Sequence, residues 1–326
     1  MTPRTRTLFI ATAVALTCSA STWAATYHID FANGDNSADG LTPQTAWKHA
    51  PVDPKATGKP ADVKLAPGDT LLFKGGVAYH GSIVIKVSGA EGKPINLDGN
   101  TAGNFGQGRA ILDGGTVITD WQLCTSAEQA QGSQQWRRIY YADIDVDISS
   151  NYDTGAFILH RQVPRDKAAP WQRVTLIDGE RRLLPISQMP KPSDPFYPDR
   201  PGDFYESSTK IQPSNGDSVI TDPKNLTARD ADFYDGMFVG AHGGNNHVYF
   251  AKVKGFDPQM HKLTVPRFGH RIYNETRYAF YNSPRLITQP GEWAIQPIGE
   301  GKARVYLWPD RLVRGQPDNI GYPAFA

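Results

Sequence analysis

Arg267, His270, Arg271, Glu275, Arg277 and Tyr278 fall within twelve consecutive positions of this 326-residue chain. Side chains of these types suit one chemistry, the abstraction of a proton next to a carboxylate. A cation that neutralises the carboxylate lowers the pKa of the neighbouring C–H, and arginine's planar fork can grip that carboxylate through two bonds. A base placed beside it then takes the proton. In this scheme His270, Arg271 and Tyr278 carry the catalysis, and Arg267, Arg277 and Glu275 hold the substrate. The competing account is a solvated edge strand on which Glu275 pairs with an arginine.

Other groups carry weaker signals. His242 and His247 flank Gly243-Gly244-Asn245-Asn246 and, with Asp235, form a candidate metal set. The same glycine and asparagine run is what a tight turn needs. Asp30, Asn33, Asp35 and Asp39 offer oxygens for Ca²⁺, without EF-hand spacing and without a closing glutamate. They are equally the residues of a polar turn. A hydrolase would need paired carboxylates, about 5–5.5 Å apart for retention and about 6.5–9.5 Å for inversion. Asp98 and Asp113, each before a glycine, are candidates, against the simpler account of Asp-Gly turns closing strands. Glu292 in Pro-Gly-Glu-Trp reads as part of a structural turn. Trp136, Tyr140, Tyr141, Phe196, Tyr197 and Tyr205 are candidate sugar-stacking rings, or core.

The elements that must position these residues are short. Tyr27 to Phe31 reads as a strand, and Thr42-Pro43 as the capped start of a short helix. TLLF within 67–76, SIVIKV (82–87), PINLDG (94–99) and AILDGG (110–115) are apolar stretches closed by Gly or Asp-Gly. Their spacing of 24 to 28 residues suits coils of a parallel β-solenoid. RIYYADI (138–144) and GAFILH (155–160) are further strands. WQRVTLIDGERRLLPI (171–186) reads as a hairpin about Asp178-Gly179, and MFVGAH (237–242) with HVYFAKV (247–253) as a second. HKLTV (261–265), RYAFYN (277–282) and RVYLWP (304–309) complete the set.

Composition narrows the function classes. The 34 basic and 33 acidic side chains nearly cancel, which argues against a nucleic-acid partner. The 31 glycines and 25 prolines punctuate many short segments and favour β structure. Residues 1–24 read as a secretory signal: Arg4 and Arg6, the apolar run Leu8 to Cys18, then Thr22-Trp23-Ala24 as the cleavage site. That run is too short to span a bilayer, and no later segment is apolar for 18 residues, so no membrane partner is expected once the signal is removed. A secreted or periplasmic location follows. Removing the signal leaves Cys124 alone, so no intramolecular disulfide is expected.

YHIDFANGDNSADGLTPQTAW (27–47), PGDTLLFKGG (67–76), SGAEGKPINLDG (88–99) and AILDGG (110–115) resemble the opening of secreted right-handed parallel β-helix proteins. These are the pectate-lyase-like polysaccharide lyases and related glycoside hydrolases. LIDGERRLLPISQMPKPSDPF (176–196), RYAFYNSPRLITQPGEW (277–293) and RVYLWP (304–309) resemble later passages of the same proteins. The resemblance implies an all-β fold that starts a right-handed parallel β-helix and carries an inserted antiparallel β-module. The expected partition is a signal peptide at 1–24, a cap and first coils at 25–119, the module at 120–265, and a return to the helix at 266–326. It implies a polysaccharide partner, acidic if the arginine strand reads carboxylates or sulfates, and a lyase or glycoside hydrolase activity. No cofactor is certain, and Ca²⁺ stays open on the Asp30, Asn33, Asp35 and Asp39 oxygens. The alternative is a non-catalytic carbohydrate-binding or structural module, or an inactive fragment. In such proteins the groove lies on coils after the Pro-Gly-Glu-Trp passage, and here 33 residues follow Trp293. The chain is therefore expected to be either a truncated form or a compact relative, and the resemblance transfers no catalytic residue to it.

Overall fold

The computed structural model describes residues 24–115, 117–146, 148, 175–178, 182–196, 198, 200–207, 211–244, 247–268, 276–299, 301–310, 312–313, 316–317 and 322–324. The expected signal segment, apart from Ala24, and the GAFILH strand lie outside these residues. Two compact units divide the chain, Met1–Asp113 and Gly114–Ala326. Both are built from strands, and the helical pieces are single short turns. Among the described residues no helix is long and apolar enough to cross a membrane.

The first unit holds β1 (Thr26–Ile29), β2 (Thr70–Phe73), β3 (Ala78–His80), β4 (Asn96–Asp98) and β5 (Ile111–Asp113). β1, β2 and β4 pair in parallel, as do β3 and β5. Opposite residues of a parallel pair point the same way. Tyr27, Leu71 and Leu97 therefore form one column, and Tyr79 and Leu112 another. Leu71 and Tyr79 are buried with Ile29 and Phe73. Thr42 caps a 3-10 turn, Pro43–Thr45, through a reciprocal bond pair with Thr45. Gly40 sits at φ +71°, where an added Cβ would press on the Trp47 indole, so the turn needs glycine on both counts. SIVIKV (82–87) forms no strand. Val84 N–H reaches Val52 O at 3.0 Å, and Val84, Ile85 and Val87 remain exposed. An apolar alternation becomes a strand only where a partner edge runs beside it.

Among the described residues the second unit is antiparallel apart from the parallel bridge Ile186–Trp293. Its strands begin with β6 (Gln122–Leu123), β7 (Tyr140–Ile144), β8 (Thr175–Ile177), β9 (Leu183–Leu184), β10 (Gln188–Met189) and β11 (Tyr205–Ser207). They continue with β12 (Gln212–Ser214), β13 (Asp217–Thr221), β14 (Phe238–Gly244), β15 (His247–Lys252) and β16 (Gly255–Asp257). β17 (Lys262–Pro266), β18 (Thr276–Tyr281), β19 (Trp293–Gly299) and β20 (Lys302–Leu307) complete the main sheets. The orders are β19-β20-β7-β6, β10-β18-β14-β15 with β11 also on β18, and β12-β13-β17-β16. Strands after residue 265 thus pair with strands before it: β18 lies on β14, and β20 on β7.

Alternation explains the layering. Phe238, Ala279 and Tyr281 face a core shared with Val305, Ile295 and Trp293. Val239, Ala241, Tyr278 and Phe280 face a second core with Ile220, Leu263 and Val265. The β14–β18 sheet is therefore buried on both sides. Gly240 is required there, because a Cβ would meet Phe250 and Tyr281 at 2.7 Å. The fold is all-β with mixed, mostly antiparallel sheets, and among the described residues none closes into a barrel.

Candidate functional site

The strand expected to carry chemistry is split by its own periodicity. Arg277 on β18 stands opposite His242 on β14. It is exposed and pairs with Glu206 on β11 at 3.3 Å. The His242 and Phe204 rings meet in a T-shaped arrangement, with their centroids 4.5 Å apart. Tyr278 is the next residue and points to the other face. It is fully buried, and its hydroxyl donates to Asp222 Oδ2 at 2.8 Å. Burial first, and the Asp222 charge second, push its pKa far above the ordinary phenol value. Its proton is committed to Asp222, on the opposite side of the sheet from Arg277. Arg267 is exposed just past β17. His270, Arg271 and Glu275 lie outside the described residues. The structure therefore joins Arg277 to His242 and Glu206, and separates both from Tyr278.

His242 is half-buried, and burial, reinforced by the Arg277 charge, lowers its pKa below the usual 6.5. A lowered histidine pKa contributes stability that is present above the unfolded value and lost as pH falls through the folded one. His28 is shifted the same way, by burial. We expect the urea midpoint to drop when pH is taken from above to below about 6.5. His242→Gln should shallow that slope, and an unchanged slope would rule out the assignment to His242.

Among the described residues the candidate calcium ligands do not converge. Asp30 accepts from Ala32 N–H and Asn33 N–H and pairs with Lys74 at 2.6 Å. Asp35 accepts from Ser37 through N–H and Oγ, and Asp39 from Leu41 N–H. The Ser37 bonds hold the Asp35 carboxyl below its ordinary pKa, and the Thr45 side chain followed by Leu41 N–H does so for Asp39. Their oxygens are spent on turns, which does not fit a calcium cage. Among the described residues no group of three or more His, Cys, Asp and Glu gathers as metal ligands. The side chain of His247 lies outside them. Asp98 and Asp113 belong to different ladders, opposite Leu72 and His80 respectively, so they do not stack as a pair. Cys124 is buried, and burial pushes its thiol up to about 11, which keeps it protonated.

Another constellation forms on the outer face of the β19-β20-β7-β6 sheet. A 3-10 turn, Trp136–Arg138, leads directly into β7. β7 turns Tyr140, Ala142 and Ile144 inward and leaves Tyr141 and Asp143 outward. Tyr306 and Arg304 of β20 stand opposite these two. Trp136, Tyr141 and Trp308 are half-buried on a small core of Cys124, Ala130, Ile139, Ile287, Ala294 and Tyr306. Each of the three rings carries a guanidinium. Arg137 lies 4.1 Å from the Trp136 centroid, Arg138 5.0 Å from Trp308, and Arg304 4.5 Å from Tyr141. Tyr141 Oη donates to Gln122 Oε1 at 2.7 Å. Arg304 donates two bonds to Asp143, at 2.6 and 2.8 Å, and this contact raises its pKa. Arg137 and Arg138 are exposed, and among the described residues no acid is paired with either. Sequence reading found Trp136 and Tyr141, and placed the buried Tyr140 with them. It missed Trp308 and the three arginines, although Trp-Arg-Arg before a strand was a readable local signal.

No known family model matches the sequence, and no curated protein matches it. A solved structure described as a glycoside hydrolase is similar in fold, with a TM-score of 0.54 and 15% identity. The likeness covers 92% of this chain and 46% of that one, so this chain spans about half the length of its neighbour. What the two share is the fold.

Proposed function

We propose that this chain is a carbohydrate-active protein that engages a polysaccharide, with the arginine–aromatic face of the second unit as its holding surface. The observation that carries the reading is three half-exposed rings, Trp136, Tyr141 and Trp308, on one sheet face with a guanidinium on each. Flat rings and planar forks suit a chain of pyranoses, which offers apolar C–H faces and equatorial oxygens. The fold shared with a glycoside hydrolase supports the same class.

The finer reading takes the first unit as the opening coils of a right-handed parallel β-helix. Its in-register parallel ladders support this, because Leu97 and Leu112 stand in line with the buried Leu71 and Tyr79. The chain is secreted or periplasmic in this reading, on the strength of residues 1–24. Its activity is that of a polysaccharide lyase or glycoside hydrolase, and the Arg267–Arg277 stretch remains the place to test proton abstraction.

Retention of the purified chain on a panel of immobilised polysaccharides tests the class. Trp136→Ala and Trp308→Ala should each weaken retention about three- to tenfold, the worth of one ring contact. No retention on any polysaccharide would remove the reading. Ultraviolet absorbance of unsaturated product separates lyase from hydrolase, which releases reducing ends alone. Turnover that survives both His270→Ala and Arg271→Ala would remove the 267–277 stretch as the lyase site.

A further inference from the structure

We infer that Arg137 and Arg138 make the arginine–aromatic face a reader of anionic groups, carboxylate or sulfate, on the glycan. The inference rests on the polysaccharide reading and adds its charge class. Both guanidiniums lie over indoles, so an N–H fork accompanies the ring at Trp136 and at Trp308. A ring beneath a guanidinium attracts the cation while leaving its N–H donors available. An in-plane fork matches the two oxygens of a carboxylate or sulfate, and a charge-assisted pair is roughly twice as strong as a neutral hydrogen bond.

The same face contains an internal contrast. Arg304 is built alike, 4.5 Å from the Tyr141 centroid, but Asp143 already occupies its fork through two bonds. Arg304 thus shows the geometry with its anion in place. Arg137 and Arg138 show it with no acid paired, among the described residues. The chain is otherwise nearly neutral, with a formal net charge of +1. Attraction of a polyanion would therefore be local to this face rather than general.

The test measures binding of the full purified chain to polygalacturonate, to the same polymer with its carboxyls reduced, to dextran sulfate and to single-stranded DNA. Polygalacturonate or dextran sulfate should bind at least tenfold more tightly than the reduced polymer. Arg137→Ala and Arg138→Ala should each cost about tenfold, and added salt should weaken binding. Lys86→Ala with Lys93→Ala removes the same charge from the first unit and should leave affinity within about twofold. Near-ultraviolet circular dichroism reports whether Trp136 and Trp308 keep their packing in each variant. Equal binding of the reduced polymer would overturn the charge inference while leaving the polysaccharide reading intact. Wild-type affinity in Arg137→Ala/Arg138→Ala would overturn it, as would an equal loss in the lysine control. Single-stranded DNA bound as tightly through the same two arginines would overturn the glycan class. Binding to no polysaccharide would sink the underlying reading itself.

Discussion

Glu292→Ala should destabilise the second unit by about 3–5 kcal/mol, read as a fall in the urea midpoint of the Trp293 fluorescence transition. Glu292 is buried, yet its carboxylate is fully engaged. Oε1 takes Lys191 Nζ at 2.5 Å and Gln289 Nε2 at 3.3 Å, and Oε2 takes Thr288 N–H at 2.8 Å and Gln289 N–H at 3.3 Å. Lys191 also donates to Leu286 O, and burial lowers its pKa despite the nearby carboxylate. Truncation strands a part-buried ammonium and three N–H donors at once. Lys191→Met should cost less, because the carboxylate keeps three donors. Lys191→Met with Glu292→Leu should recover only part of the loss, since the backbone donors stay unmatched. The turn also couples to the proposed glycan surface. Gly291 N–H donates to Trp308 O, and Trp308 N–H to Glu292 O. Glu292→Ala should therefore weaken glycan retention at denaturant concentrations where the unit is still folded. A loss of stability below about 1 kcal/mol would show that the carboxylate is not the organiser of this turn.

The chain's hairpins were legible because their information is local. Thr175–Ile177 pairs with Leu183–Leu184, and β14, running to Gly244, pairs with β15 from His247, as the alternation predicts. Which edge a strand chooses is not local. RYAFYN and RVYLWP read correctly as strands; RVYLWP pairs locally with β19, but RYAFYN lies on β14 and the other edge of RVYLWP on β7, antiparallel and far away in sequence. The parallel pairing that a solenoid would need is present in the first unit, where β1, β2 and β4 pair in register. It did not extend into the strands after residue 276, whose partners run antiparallel. SIVIKV shows the converse: a strand-like sequence with no edge to meet. The site followed the same rule. Trp136 and Tyr141 were visible as rings, but the Arg138–Trp308 pair joins residues 170 positions apart. No periodicity encodes that contact. Tyr278 was visible as a chemical type, and period-two alternation from the exposed Arg277 was enough to place it inside.

That placement leads to the second large effect. Asp222→Ala should cost about 3 kcal/mol or more, because it strips the acceptor from several buried or part-buried donors. Asp222 receives Tyr278 Oη at 2.8 Å, Asn225 Nδ2 at 2.7 Å, and the N–H groups of Lys224 and Asn225 at 3.2 Å each. It ties the end of β13 to the core face of β18, beside Tyr234 and Phe280. Tyr278→Phe keeps the ring and removes one donor, so about 1–2 kcal/mol is expected. The phenol's raised pKa fixes the sign of a pH effect. A group whose folded pKa lies above its unfolded value contributes stability below the unfolded value, near 10, and loses it as pH rises further. Tyr278→Phe should therefore flatten the alkaline fall in stability. Part of the fall should remain, because Tyr234 and Tyr281 are also raised by burial. The same variant separates scaffold from chemistry. A buried donor predicts lower stability with glycan turnover or retention per folded molecule unchanged. A surface base predicts the opposite, unchanged stability with turnover abolished, and that result would return Tyr278 to the catalytic set.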